Sequence, residues 1–234
     1  MLRAVLFDVD FTLAKPGPDL GPEGYERLGR RFGLALDPAR YDEARRAAVE
    51  RLERHPELDH DEQVWVLFTE QIIRGMGGSS DRVSECAVEM TRAWEHAHNF
   101  AIYDDVLPTL QLLRERRLGI GLVSNTSRDL QAFVRHHGLE VDAAVGSGLY
   151  GKTKPHPTIF RHALEQLDVV PEDAVMVGDS VEDDVEGARA VGMRAFLIDR
   201  EGRFPERDDK LDDLRALPAA LGLDGSIGAH GSSG

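Results

Sequence analysis

The chain has 234 residues, enough for one large α/β domain or for a core that carries a smaller insert. Its 41% hydrophobic and 30% charged residues describe a chain that folds. The 42 acids against 28 Lys and Arg give a net charge of −14, which opposes adhesion to nucleic acid and to anionic membranes. A site for an anionic ligand must therefore supply its own positive potential, and the only lysines are Lys15, Lys152, Lys154 and Lys210. The single Cys86 cannot form an intramolecular disulfide, which fits a reducing compartment. The N-terminus meets an acid too early for a signal peptide, and no uncharged apolar run reaches about 18 residues. A cytoplasmic protein without a membrane span is expected.

The first apolar run, residues 4–7, ends on Asp8 and reads as a strand. Residues 15–100 then lack strand signals, and apolar residues recur at helical spacing in four stretches: 23–32, 39–54, 61–74 and 81–96. Pro38, Pro56 and the glycine-rich stretch 75–80 break them. Residues 15–22 read as a hinge-bearing linker into this insert and 100–105 as the return. Short apolar runs resume at 120–123, 143–145, 174–177 and 195–198, with a helix predicted at 158–167. Runs this apolar suit parallel strands covered by helices on both faces. The pattern predicts an α/β fold, a doubly wound Rossmann-like parallel sheet with a small all-helical domain. The expected division is 1–14 and 101–221 for the core, 15–100 for the helical insert and 222–234 for a flexible tail.

The chemistry-bearing residues fall where strands end. Asp8-Val9-Asp10-Phe11-Thr12-Leu13 follows the first strand, and paired acids there can divide labour between a nucleophile and a general acid and base. Ser124-Asn125-Thr126 ends the second core strand, where a hydroxyl, an amide and free backbone N–H groups can hold phosphate oxygens. Gly151-Lys152-Thr153-Lys154-Pro155 gathers two scarce lysines after the third. Gly178-Asp179-Ser180-Val181-Glu182-Asp183-Asp184 follows the fourth, where glycine permits close backbone approach and the acids can bind a hard cation. Each motif alone reads as a turn, a helix cap or a solvated loop. Four of them at four strand ends exceed what capping requires.

With these motifs in this order, the sequence resembles a haloacid dehalogenase-superfamily hydrolase, of the phosphatase branch with a helical cap between the first two motifs. The resemblance covers the core and implies roles residue by residue. Asp8 matches the nucleophile and Asp10 the general acid and base. Thr12 matches the residue that orients the loop, and with Ser124, Asn125 and Lys154 it forms the implied phosphate-binding set. Lys152 is the less favoured lysine. The implied cofactor is Mg²⁺, held by Asp8, the backbone carbonyl of Asp10, Asp179 and Asp184, with Asp183 as the alternative. One position departs from the family: many members carry glycine where this chain has Phe11, which bears on the loop beside the nucleophile.

The expected function is a magnesium-dependent phosphatase that hydrolyses a small phosphorylated metabolite through an aspartyl-phosphate. The alternatives are a phosphosugar mutase of the same fold or a noncatalytic phospho-ligand-binding member. Asp10 disfavours dehalogenation, and the absence of lysine from residues 16–151 disfavours Schiff-base phosphonate cleavage. No nucleic-acid or membrane partner is expected, and the chain is read as a monomer or homodimer. Within the insert, Arg30, Arg31, Arg45 and Arg46 read as a solvated face, and Trp65, Phe68, Ile72 and Ile73 as helical core. His96 and His98, read as helical, are expected to point apart.

Overall fold

The computed structural model describes residues 1–52 and 55–223. In chain order the strands are β1 (Ala4–Phe7), β2 (Ala14–Pro16), β3 (Phe100–Ile102), β4 (Gly119–Ser124), β5 (Ala143–Gly146), β6 (Ala174–Gly178), β7 (Arg194–Ile198) and β8 (Lys210–Leu211). Six of them form one sheet in the order β5-β4-β1-β6-β7-β8, with every neighbouring pair parallel. All residues of β1 are buried, as an unbroken apolar run demands of a central strand. Its side chains alternate between two cores. Val5 and Phe7 join Ile120, Leu122 and Phe133, while Ala4 and Leu6 join Ile159, Phe160 and Met176.

This topology sets the site. From β1 the chain builds outward through β4 and β5, then crosses back and builds outward on the other side through β6, β7 and β8. The strand order reverses at β1, and a crevice opens above the carboxyl ends of strands at such a switch point. Phe7 stands opposite Leu122 and Val177, so the residues that follow β1, β4 and β6 emerge together.

The helices between β2 and β3 are α1 (Pro22–Arg31), α2 (Tyr41–Glu50), α3 (Glu62–Gly75) and α4 (Val83–Ala93). Proline at the first position starts α1, and the Asp61 carboxylate caps α3 by accepting from Gln63 N at 2.9 Å. Ile72, Ile73, Met76 and Met90 are buried between these helices and join the core containing Phe7. The later helices are α5 (Val106–Glu115), α6 (Leu130–His137), α7 (Ser147–Tyr150), α8 (Pro157–Gln166), α9 (Gly187–Ala190) and α10 (Leu217–Ala220).

Four local expectations need correction. The segments read as linkers pair as an antiparallel ribbon, β2 with β3, because short strands containing proline give no periodic signal. The fourth helix ends at Ala93, short of residue 96. His96 is extended, so His96 and His98 lie on one side with their rings stacked at 5.3 Å, where a helix would have separated them. The second helix stops at Glu50, and the expected last turn reaches residues 53–54, outside the described residues. Residues 224–234 of the expected tail also lie outside them.

Candidate active site

Asp8 leaves β1 with its backbone N–H still bonded to Val177 O at 2.9 Å, so the sheet fixes where its carboxylate stands. Lys154, 2% exposed, reaches across from the loop before α8 and donates to Asp8 Oδ1 at 2.5 Å and to Asp184 Oδ1 at 2.6 Å. Burial pushes the Asp8 carboxyl well above its ordinary range; Lys154 opposes this, while Asp184 and Asp179 add to it. Burial disfavours the Lys154 ammonium, but Asp184 and Asp8 outweigh it and hold its pKa above the usual lysine value. Asp179 is raised to about 7, first by burial and then by Asp184, against the pull of Arg203.

Asp8, Asp179 and Asp184 each offer an oxygen within 4.8 Å of the others. One ammonium among crowded acids leaves the cluster short of positive charge, and hard carboxylate oxygens suit Mg²⁺. The residues therefore fit the implied ion. Between the two candidates at 183 and 184, Asp184 joins this cluster. The backbone N–H of Ser180 donates to Asp184 Oδ2 at 3.0 Å, whereas Asp183 turns toward Asn125, 3.4 Å away. A wide π-helical turn, Val181–Glu186, sets these directions. Gly178 is required beneath it, since a Cβ there would lie 2.2 Å from the Asp184 carboxyl carbon.

The turn after β1 closes through Phe11 N to Ala14 O at 2.6 Å, with Phe11 at φ 64. This left-handed conformation explains the resemblance's glycine, and a phenylalanine holds it at a cost of about 1–3 kcal/mol. Asp10 points to Arg128, whose Nη1 and Nη2 donate to its two carboxylate oxygens at 3.0 and 3.1 Å. Arg128 is 3% exposed, donates from Nε to Trp94 O at 3.0 Å and stacks on Phe100, its guanidinium carbon 3.8 Å from the ring centre.

Other expected residues fall in different places. Ser124 is buried at the end of β4 and lines the cleft. Asn125 lines it too, but its amide is engaged with the lysine backbone: Lys154 N donates to Oδ1 at 2.7 Å and Nδ2 donates to Lys154 O at 3.1 Å. It braces the lysine, which differs from the direct phosphate contact expected. Thr12 is fully buried, away from the cleft, with its hydroxyl unpartnered and its carbonyl accepting from Arg200 at 2.8 Å. Its side chain does not meet the expected phosphate role, because the turn after Asp10 carries it into the core. Lys152 is drawn outward to Asp59, at 2.6 Å, and to Glu57 O.

Above these groups lies a cleft of about 470 Å³. The insert contributes Trp65, Phe68, Ile72 and Trp94 to its wall; Ile72 and Ile73 are buried in the core as expected and Phe68 packs against it, whereas Trp65, also expected there, belongs to neither core. Arg30, Arg31 and Arg46 are exposed, but Arg45 is half-buried on the cleft wall, over the Phe11 ring at 4.9 Å, a departure from the expected solvated face. Arg128 and His60 were invisible to sequence reasoning. An isolated arginine in a loop has no periodicity, and His60 acquires meaning only when folding brings Ser147 and Ser127 to its ring nitrogens, at 2.8 and 3.0 Å.

An aspartate at a strand end, a buried lysine and a carboxylate cluster meet at the switch point of a doubly wound sheet. The profile of the haloacid dehalogenase-like hydrolase family matches residues 2–192, and the chain belongs to that family. It is 30% identical to a phosphoserine phosphatase of Thermus thermophilus, over 92% of this chain and 95% of that protein. It is 31% identical to a glyceraldehyde 3-phosphate phosphatase of Methanopyrus kandleri, over 91% and 90%. The crystal structure of a HAD phosphatase from Thermococcus onnurineus superimposes with a TM-score of 0.65 at 30% identity, covering 94% of this chain and 98% of that one.

Proposed function

We propose that this chain is a magnesium-dependent phosphatase acting through an aspartyl-phosphate on Asp8. Family membership and the two phosphatase relatives make it a phosphoric monoester hydrolase. The finer reading rests on one observation: Asp8 stands at the switch point 2.5 Å from the buried Lys154 ammonium, within a three-carboxylate cluster.

The Asp8 carboxylate attacks phosphorus, the ester P–O bond breaks, and the departing alkoxide takes a proton from Asp10. Water then gives a proton to Asp10 and attacks phosphorus, breaking the bond to Asp8 and releasing phosphate. Lys154 offsets the charge of the transferring group, braced by Asn125, and Ser124 supplies a hydroxyl beside it. Arg128 is a positioning residue that fixes both Asp10 oxygens. Asp8, Asp179, Asp184 and the Asp10 carbonyl would hold Mg²⁺, which when bound would offset the repulsion between the carboxylate and the phosphate dianion.

The helical insert, residues 15–100, acts as a cap over a core of 1–14 and 101–221, and its wall selects the leaving group. No described helix is long and apolar enough to cross a membrane, and the reaction is assigned to the cytoplasm on the composition alone. The test is phosphate release from a panel of small phosphomonoesters with Mg²⁺ or EDTA. Turnover that disappears with EDTA and in Asp8→Asn is expected; turnover that survives Asp8→Asn overturns the reading.

A further inference from the structure

The wall that the insert turns toward Asp8 is aromatic. Trp65 and Phe68, one helical turn apart on α3, meet edge to face at 6.1 Å and both line the cleft. Trp94 faces the same space while packing on Phe100 at 5.6 Å. Phe11, directly after the Asp8–Asp10 pair, lines the cleft near the reacting centre beneath the Arg45 guanidinium. Packing of the insert does not account for all of these rings. Ile73, Met76 and Met90 fill its core at 1% exposure or less, whereas Trp65 belongs to neither hydrophobic core.

Polar side chains flank the rings: Arg45 and Glu95 also line the cleft, with Arg45 over Phe11. Thr91 Oγ1 donates to Ala87 O at 2.9 Å and lies 3.3 Å from Thr69 Oγ1. Any part of an amino acid or a triose seated directly on Trp65 and Phe68 would desolvate polar groups against rings, and polar groups left unpaired there are disfavoured. A flat apolar group would cover the rings and gain both burial and stacking. The cleft, at about 470 Å³, has room for a ring system beyond the phosphate.

We propose that the substrate is a phosphomonoester whose leaving group carries a planar, largely apolar ring system, seated against Trp65, Phe68 and Trp94. This rests on the phosphatase reading above. It sets this chain apart from the two relatives, whose names specify small polar substrates.

The test compares kcat/KM for 1-naphthyl phosphate and benzyl phosphate with that for O-phosphoserine and glycerol 3-phosphate. The ring-bearing esters are expected to lead by at least about tenfold. Trp65→Ala should cut that lead about tenfold and Trp65→Phe should restore part of it, with circular dichroism confirming the fold of each. Small polar esters turned over as well as the ring-bearing ones, or a lead that Trp65→Ala and Phe68→Ala leave intact, overturns the inference while the phosphatase reading stands. No phosphate from any ester overturns both.

Discussion

Arg128 is buried against an aromatic face and directs donors from all three of its guanidinium nitrogens to two partners, the Asp10 carboxylate and the Trp94 carbonyl. Lysine cannot reproduce that planar fork. Arg128→Lys should therefore lower kcat by about 10–100-fold with KM little changed, as steady-state kinetics would show; an unchanged kcat would remove Arg128 from the account. Gly178→Ala is the complementary steric test. Its Cβ would occupy the place of the Asp184 carboxyl, so the acid must move and activity should fall by more than about 100-fold. At this scale the local patterns marked Asp8 and Asp10, the Lys152–Lys154 loop and the acids of 179–184, because paired acids, scarce lysines and a Gly-Asp pair at strand ends can be read locally; the preference for Lys154 over Lys152 and for Asp184 over Asp183 came from the family resemblance. Arg128, the bracing role of Asn125 and the inward turn of Thr12 depend on contacts between distant segments, which no local pattern encodes.

Elements with a strong period were the legible ones. β1 matches its predicted bounds, and α3 lies one residue from its own, while the β2–β3 ribbon and the short β8 escaped notice because two or three residues cannot establish alternation. The π-helical turn was equally hidden, and it decides that Asp184 rather than Asp183 reaches the cluster. The strap between α2 and α3 shows what else folding adds. His60 N donates to Gly151 O at 3.0 Å and Thr153 N to Leu58 O at 2.8 Å, so the insert is tied to the loop that carries Lys154. Burial lowers the His60 pKa below its ordinary 6.5, while Glu62 and Asp61 pull it upward. The folded state therefore binds that proton less readily than the unfolded state, and stability falls as pH drops below about 6.5. His60→Gln lacks this linkage. Melting curves between pH 7.5 and 5 should show the wild type losing stability relative to the variant; a constant difference would contradict the assignment.

For the molecule as a whole, a net charge of −14 and a three-carboxylate cluster at the sheet's switch point predict a protein that Mg²⁺ stabilises. At about 100 times Kd the ion should add about 2.7 kcal/mol, a rise in Tm of about 5–10 °C for a chain of this size. The rise should vanish in Asp179→Asn; a shift that persists there would place the ion elsewhere. The central claim is the covalent intermediate on Asp8, and the most direct measurement is mass spectrometry of acid-quenched Asp10→Asn enzyme after a brief exposure to para-nitrophenyl phosphate, whose leaving group needs no proton from Asp10. If Asp10 activates water as proposed, its loss lets the phosphoenzyme accumulate, with the added phosphoryl mass on the peptide containing Asp8 and none in Asp8→Asn. Phosphate release without any modification at Asp8, or with the phosphoryl group on another residue, would contradict the account.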